Sequence, residues 1–288
     1  MRKIKYLLAV AVMSTSLLFG CGSNDSSNDD NKKSDKALTA DEFIEKVESN
    51  DSEIKSTDFK MTASIDASAD ETAVKASLTV DGSVDANKNA KFDINIDAGD
   101  DGQQELPCYL AADGDNYVLY LQMMGQWCKL DLQQLTAAYG VDLSANTSAD
   151  NTSVDLKKVL DYLNGTEVKV SDDTYTLNGT IDFKKVFDAV AAVAGDSVDV
   201  SAYEEQVNAL ADKVKINISV SIDKDGQFKS FDMSVDKFEE DGLAVNELKF
   251  SISASNYNNV ADITIPDEAA DATDISSMLG SVGGLSEK

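Results

Sequence analysis

The sequence predicts an α+β fold, in which a large curved antiparallel β-sheet forms an incomplete barrel wrapped around a few α-helices. Apolar and polar residues alternate with a period of two near both ends of the chain, while helical periodicity is concentrated in the middle. Predicted strands also outnumber predicted helices, which favours helices held against one face of an antiparallel sheet. At 288 residues, one large domain and two smaller ones are both compatible with the length.

The first predicted element is a short amphipathic helix that ends near Asn50. Thr39 and Glu42 have the spacing of a capping box, and the acidic residues of the first turn suit the positive end of the helix dipole. Four apolar residues share one face of this segment: Leu38, Phe43, Ile44 and Val47.

Strands are predicted where apolar and polar residues alternate over 59–65, 74–80 and 92–96, as in a sheet with one buried and one solvated face. A tight meander follows, because Gly and Asp or Asn at 113–116 and 124–125 supply the positive φ of two-residue hairpin turns. The strands of this meander are predicted at 108–112, 117–123 and 127–130.

The middle of the chain predicts helices, interrupted by one hairpin through Val168 and residues 175–177. The predicted helices cover 132–139, 154–163, 183–193 and 202–212. Strands then return at 216–222, 231–235, 248–252 and 263–265. Pro266 is predicted to close the last strand, because it has no N–H to donate to a neighbour.

The chain carries 52 acidic and 25 basic side chains, for a formal charge of −27, and it contains no histidine. So negative a surface repels phosphate backbones, which argues against nucleic-acid binding. Without histidine there is no Ser-His-Asp or Cys-His catalytic system and no imidazole metal ligand. The motifs of common hydrolases, metalloproteases and phosphate-binding loops are also missing from the sequence. We therefore expect no enzymatic activity, no cofactor and no metal site.

The sequence Asp-Lys-Asp-Gly at 223–226 has part of the pattern of a calcium loop. An EF-hand with this glycine needs an aspartate and a glutamate where this chain has Ser221 and Asp232. We therefore predict a hairpin turn at this position.

Residues 1–20 have the pattern of a bacterial export signal, with a basic start, an apolar stretch too short for an ordinary membrane helix, and a small residue at the cleavage point. The sequence Leu-Phe-Gly-Cys at 18–21 resembles the lipobox of bacterial lipoproteins. The resemblance implies that Cys21 is diacylated and begins the mature chain, and two acyl chains are enough for stable anchoring. The alternative is an ordinary signal peptide in which Cys21 is incidental.

The rest of the chain is predicted to form three parts. Residues 21–37 comprise the lipidated cysteine and a disordered acidic tether rich in Ser, Asn and Asp. Residues 38–270 form the folded domain, and 271–288 form a flexible, Gly-containing tail. No segment after the leader has 18 consecutive apolar residues, so we expect the domain to lie outside the membrane, tethered rather than spanning.

Cys108 and Cys128 remain once Cys21 is assigned to lipid, and a disulfide is the usual expectation in an exported protein. The predicted register argues against one. If both turns of the meander have two residues, Leu121 pairs with both cysteines, and the thiols stand two strand spacings, about 9.5 Å, apart. A shift of one residue in either loop would permit the disulfide, so both interpretations stay open at this point.

Five large apolar residues are candidates for the wall of a ligand cavity between sheet and helices: Phe59, Met61, Phe183, Phe187 and Phe250. Residues at helix and strand periods ordinarily form a packed core, and the sequence alone is compatible with either interpretation. A curved sheet can enclose an acyl chain where its helix does not fill the concavity, and methionine lets the wall adapt to a ligand.

Four features, taken with the order of elements, are similar to those of a known superfamily. They are the lipobox, a hairpin containing Tyr117, Tyr120 and Leu121, the sequence Gly-Gln-Trp-Cys-Lys-Leu-Asp-Leu at 125–132, and Ile-Pro-Asp-Glu at 265–268. Together they resemble the LolA-like superfamily, and more specifically the LppX/LprG-type and related uncharacterised Gram-positive lipoproteins. The resemblance implies an incomplete β-barrel around helices, with an apolar cavity that binds lipids or lipidated molecules at the cell envelope.

The predicted function is therefore that of a lipoprotein that binds or carries a hydrophobic ligand. We expect its partner to be the membrane, to which the diacylglyceryl group on Cys21 attaches the protein at the outer face of the cytoplasmic membrane. Lysine is the only basic residue after the leader, which favours a Gram-positive host. The alternative is a non-enzymatic envelope interaction or scaffold module, whose acidic surface contacts a basic partner.

Overall fold

The structure of the protein is a computed structural model. It describes residues 38–50, 52–69, 72–99, 102–113, 116–134, 162–171, 173–185, 208, 210–211, 213–240 and 242–276. The predicted leader, Cys21 and the tether lie outside these ranges, as do most of the four helices predicted for the middle of the chain.

The N-terminal helix, α1 (Ala40–Glu48), begins at the capping box that the sequence predicts. The hydroxyl of Thr39 accepts a hydrogen bond from the backbone N–H of Glu42 at 3.1 Å, and the Glu42 carboxylate accepts one from the N–H of Thr39 at 2.8 Å. These bonds satisfy two of the N–H groups that a helix start leaves without an intrahelical acceptor. Phe43 and Ile44 are buried on the face turned to the sheet.

The remainder of the described fold is one large, open sheet of thirteen strands. The strands are β1 (Thr57–Ala69), β2 (Thr72–Val84), β3 (Ala90–Asp97), β4 (Gln103–Asp113), β5 (Asn116–Met123), β6 (Gln126–Asp131), β7 (Leu163–Ser171), β8 (Thr174–Asp182), β9 (Lys215–Asp223), β10 (Phe228–Val235), β11 (Phe238–Glu240), β12 (Leu243–Ser255) and β13 (Thr273–Asp274). They lie in the order β13-β6-β5-β4-β3-β2-β1-β12-β10-β9-β8-β7, with β11 paired to β12. The prediction of a large antiparallel sheet is confirmed; only the short pairing of β13 with β6 is parallel.

Strand β1 joins the two halves of the sheet. On one side it pairs with β2, the next strand in the chain, and on the other with β12, from the far end of the fold. Strands β1 to β6 thus form an N-terminal meander, and β7 to β10 with β12 form the second half. A bulge in β7 between Asn164 and Glu167, with Gly165 at a φ of 62°, interrupts the pairing of this edge strand with β8.

Two predictions of secondary structure were wrong: one at the end of a helix, and one for a whole strand. Leu163, predicted as the end of a helix, begins β7 and pairs with Ile181 of β8. Residues 263–265, predicted as a strand, belong to no strand, because the N–H of Ile263 is bound by the Asp85 carboxylate at 2.8 Å rather than by a neighbouring strand. Pro266 instead precedes a 3-10 turn at Asp267–Ala269.

Two buried clusters hold α1 and the strand ends in place. The first lies between α1 and strands β7 to β9, and consists of Phe43, Ile44, Val168, Leu177 and Ile222. The second lies where β1 meets β12, and consists of Ile65, Ala67, Leu243, Val245 and Leu248.

Gly226 lies in the hairpin turn between β9 and β10, directly against α1. Its φ is 84°, and a Cβ atom at this position would collide with the carbonyl oxygen of Lys46 in α1. The carboxylate of Asp223 accepts hydrogen bonds from the N–H groups of Asp225 and Gln227, both at 2.9 Å, which shapes the turn. The hairpin turn predicted for 223–226 is therefore confirmed.

Replacing Gly226 by alanine should destabilise the fold through both backbone strain and collision with α1. Gly125 is the matched control, because its φ is 78° but a Cβ atom added to it would meet nothing within 4 Å. We expect Gly125→Ala to lower the free energy of unfolding by about 1 kcal/mol, and Gly226→Ala to lower it by at least about 2 kcal/mol. Urea unfolding of both variants measures the difference; equal losses would contradict the contact with α1.

Asp85 is a fully buried carboxylate that ties the β2–β3 hairpin to the C-terminal segment. It accepts hydrogen bonds from the N–H groups of Asn87, Asn89 and Ile263, at 2.8 to 2.9 Å, and from the side-chain amide of Asn89. Burial by itself raises the pKa of Asp85, but these hydrogen bonds together outweigh it, so the pKa lies below its ordinary value.

A carboxylate whose pKa is lowered by folding stabilises the protein above its unfolded pKa of about 3.9, and this contribution is lost as the pH falls through the lower folded pKa. Asp85→Asn should therefore reduce the free energy of unfolding by about 1–3 kcal/mol at pH 7, and the difference from wild type should shrink below about pH 4. Asp262→Asn, at an exposed neighbouring carboxylate, is the control and should change little. Urea unfolding across this pH range tests the prediction, and a difference that does not depend on pH would contradict it.

Candidate functional site

One face of the sheet is apolar across most of its width. Its centre is a row of nine cross-strand neighbours, one from each of nine adjacent strands. In spatial order the row is Leu106, Ile94, Val80, Met61, Ile252, Phe231, Val220, Leu177 and Val168. We call this side of the sheet the apolar face.

The structure brings three of the five predicted cavity residues together on the apolar face. Met61 belongs to the central row, Phe59 lies two residues before it on β1, and Phe250 lies two residues before Ile252 on β12. Phe183 directly follows β8 and is half-buried, and Phe187 lies outside the described residues. Whether any of the five contacts a ligand stays a prediction.

The ends of the apolar face differ in how deeply their side chains are buried. At the β7–β9 end, Leu177 and Val168 are buried under Phe43 and Ile44 of α1. At the β3–β4 end, Ile94 and Leu106 are only half-buried. Phe231 and Met61, in the centre, are also half-buried. The apolar face therefore retains accessible hydrophobic surface away from α1.

Aromatic rings fill the spaces between strands on this face. Phe231 and Phe250 lie with ring centroids 6.2 Å apart, and Phe59 and Phe92 with centroids 5.8 Å apart, both in tilted arrangements. The ring of Phe59 lies directly over Gly82 of β2, where a Cβ atom would collide with it. The shape of the apolar surface therefore depends on these side chains as well as on the twist of the sheet.

The opposite face of the sheet, which we call the polar face, is dominated by Ser, Thr, Asn and Asp. Some of its charges are paired locally, as between Lys60 and Asp81 at 2.8 Å and between Lys249 and Glu247 at 2.7 Å. Hydrogen bonds from Lys249 and Ser64 hold the pKa of Glu247 below its ordinary value. The contrast between the faces follows from the period-two alternation of every long strand.

The two described cysteines are free thiols on the apolar face. Leu121 pairs with Cys108 on one side and Cys128 on the other, so the predicted register is confirmed and no disulfide joins them. Burial, together with the nearby charge of Asp93, raises the pKa of the Cys108 thiol. A raised pKa disfavours the reactive thiolate, which is typical of a structural rather than a redox-active cysteine.

Sequence reasoning identified most members of the central row as strand residues but did not place them side by side. Ile94, Leu106 and Phe231 were the main omissions from the predicted site. Counting register across two-residue turns, as for Cys108 and Cys128, aligns β4 to β6 but does not reach β3, because residues 98–102 separate β3 from β4. No local signal in the sequence specifies that β12 follows β1 in the sheet.

A protein-family profile matches residues 39–274, from the N-cap of α1 to the last residue of β13. Its description is that of a family of unknown function, DUF6612. The chain belongs to the DUF6612 family. The matched residues include every strand of the described sheet, and the family itself has no assigned function. The comparison with curated proteins gives no match.

Solved structures similar to this DUF6612 chain have sequence identities near 10%. A β-barrel-like DUF1849 protein from Brucella abortus is 11% identical, covers 70% of this chain and 96% of its own, and has a TM-score of 0.21. A LolA superfamily protein from Nitrosomonas europaea is 11% identical, covers 81% of this chain and 97% of its own, and has a TM-score of 0.22. A porin-like protein from Bacteroides uniformis is 8% identical, covers 70% of this chain and 96% of its own, and has a TM-score of 0.20. TM-scores at this level do not define the fold of the chain, and the LolA-like resemblance stays a prediction.

Among the described residues, no helix combines the length and the apolar character that crossing a bilayer requires.

Proposed function

We propose that this DUF6612 chain is a non-enzymatic lipoprotein that shelters an apolar ligand against the apolar face of its sheet. The observation that supports the proposal most strongly is the central row, which runs unbroken over nine strands and keeps half-buried members away from α1. In this proposal the sheet curves as an incomplete barrel, and the ligand lies in the space between sheet and helices.

The chemistry of the apolar face suits a flexible hydrocarbon chain. Its half-buried positions include branched aliphatic side chains, phenylalanine and two methionines, Met61 and Met233, which offer contact without requiring hydrogen bonds. Each methylene group of a ligand that leaves water for such a surface contributes about 0.8 kcal/mol. The buried apolar area of an ordinary acyl chain would therefore be enough to bind it, and few hydrogen bonds to the protein would be needed. This suits a chain that carries no arginine beyond Arg2 to clamp an anionic headgroup.

Binding should weaken when the half-buried end of the apolar face is made polar. We expect Ile94→Lys to reduce the affinity for an uncharged apolar fluorophore, N-phenyl-1-naphthylamine, by at least tenfold, because a bound chain would desolvate the ammonium group. Fluorescence titration of the full chain measures the change.

The matched control is Asn95→Lys, which adds the same charge one residue further along β3, on the polar face. Circular dichroism and thermal melting distinguish lost binding from lost structure, and Met61→Gln provides a milder, uncharged change on the same face. Native mass spectrometry of the wild-type chain should also detect a co-purified lipid. Absence of lipid, combined with equal probe affinity in Ile94→Lys and Asn95→Lys, would contradict the proposal.

We further propose that Cys21 anchors the protein to the outer face of the cytoplasmic membrane through a diacylglyceryl group. The lipobox-like sequence at 18–21 supports this assignment, and two acyl chains hold a protein stably where one does not.

Bacteria grown with radiolabelled palmitate should label the wild-type chain and leave Cys21→Ser unlabelled. A serine hydroxyl cannot accept the diacylglyceryl group as a thioether, so all labelling through this route disappears. Ser23→Ala, two residues further on, is the control and should be labelled as wild type. Equal labelling of wild type and Cys21→Ser would refute the anchor.

A further inference from the structure

A separate concave surface lies at the β6 edge of the sheet, two strands beyond the end of the central row. It is a cleft of about 600 Å³ between the end of the β5–β6 hairpin and the C-terminal segment before β13. Gln122 and Trp127, which pair with each other across β5 and β6, line its sheet side. They alternate with Leu121 and Cys128, whose side chains lie on the apolar face, so the Trp127 side of the strands belongs to the polar face.

Aromatic side chains occur on the polar face only around this cleft, among the described strands. Trp127 contacts Tyr109, with ring centroids 5.9 Å apart and planes inclined by 59°. Tyr120 is the cross-strand neighbour of Tyr109. All three rings are half-buried and stand on a surface otherwise rich in Ser, Thr, Asn and Asp. A group of three neighbouring rings on an otherwise polar surface is unusual, and it favours a contact surface at this place.

The opposite wall of the cleft is a short segment fixed by its own packing. Ala269 and Ala272 are buried, and the N–H of Ala272 donates to the carbonyl of Ala269 at 3.1 Å. Thr273 then pairs with Cys128 of β6, which places this part of the chain in the sheet, beyond the predicted domain end at residue 270. The exposed side chains of Glu268 and Asp271 therefore stand at fixed positions on the cleft rim.

The lining combines the Trp127 side chain with groups that bind hydroxyls. The amides of Gln122 and Gln126 both donate and accept, the carboxylates of Glu268 and Asp271 accept, and the Thr273 hydroxyl does either. A sugar ring presents an apolar C–H face to an aromatic plane and a rim of hydroxyls to polar neighbours. The described lining includes carboxylates but no lysine, which opposes an anionic ligand. The volume lies within the range of about 300–1,000 Å³ usual for small-molecule sites.

We propose that this cleft, the Trp127 cleft, binds a neutral oligosaccharide, with one sugar ring stacked on Trp127 and its hydroxyls bound by Gln122, Glu268 and Asp271. The site goes beyond the apolar-ligand function and does not depend on it, because the cleft lies beside β6, two strands beyond the end of the central row. In a protein held outside the membrane, such a site would attach the sheet to hydroxyl-rich polymers rather than to lipid.

Trp127 is the only tryptophan in the chain, so its fluorescence reports on this cleft alone. The full chain, kept in a detergent without a sugar headgroup, is titrated separately with the trisaccharides of glucose, mannose and N-acetylglucosamine. We expect a saturable change in tryptophan emission with at least one of them, half-complete below about 1 mM. A trisaccharide of galacturonic acid, which is anionic, should bind at least tenfold more weakly.

Two variants separate the cleft from a nonspecific effect. Gln122→Ala should weaken binding of the active trisaccharide by at least tenfold, whereas Gln104→Ala, at an exposed glutamine of β4 on the other side of the sheet, should leave it unchanged. Calorimetry with Trp127→Ala, whose fluorescence signal is lost, should detect no binding.

Three results would overturn the proposal: no response to any of the three neutral trisaccharides, equal affinity in Gln122→Ala and wild type, or a response to tetramethylammonium alone, which would make the cleft a cation site. Loss of lipid binding in Ile94→Lys with retained trisaccharide binding would show that the two functions fail separately.

Discussion

The pairing of β1 on both of its edges is the constraint on which the rest of this structure depends. Thirteen residues of β1 pair with β2 without interruption, and twelve pair with β12, with one register shift after Asp66. Side chains alternate between the two faces along a strand. A slip of one residue in the pairing of β1 with β2, or with β12, would therefore move the central-row residues beyond that pairing to the polar face. The pairing of β1 with β12 joins segments far apart in the chain, so closing it costs more chain entropy than closing a hairpin.

Local signals were enough to predict most strands, because apolar and polar residues alternate in β1 to β3, β9, β10 and β12, and Gly, Asn or Asp marks several of the turns. The same alternation misled at Ile263 and Ile265, where an extended segment has the pattern of a strand but one of its N–H groups binds the buried Asp85. Leu163 was misassigned because the bulge near Gly165 breaks the alternation that would have marked β7. The exception at Ile263 arises from a partner distant in sequence, which no window of residues contains.

The candidate sites differ in how far sequence could predict them. Phe59, Met61 and Phe250 were identified from their strand periods, and their common face follows directly from the pairing of β1 with β12. The Trp127 cleft was not predicted, since one wall comes from β5 and β6 and the other from residues near 268–273. The parallel pairing of β13 with β6, with hydrogen bonds from Ile275 to Lys129 and from Asp131 to Ser276, brings those walls together. The sequence has a single tryptophan, and this composition disfavours carbohydrate binding. In the structure, however, that tryptophan contacts Tyr109, so an aromatic pair is present beside the cleft.

An unclosed sheet has two margins at which a neighbouring molecule could add a strand and begin a fibril. At one margin, the bulge of β7 and its Gly165 disturb the spacing of backbone groups that an incoming strand would need. At the other, β13 is two residues long and runs parallel to β6, which offers too short a template for docking. Both interrupted margins therefore disfavour strand pairing between the open sheets of neighbouring molecules.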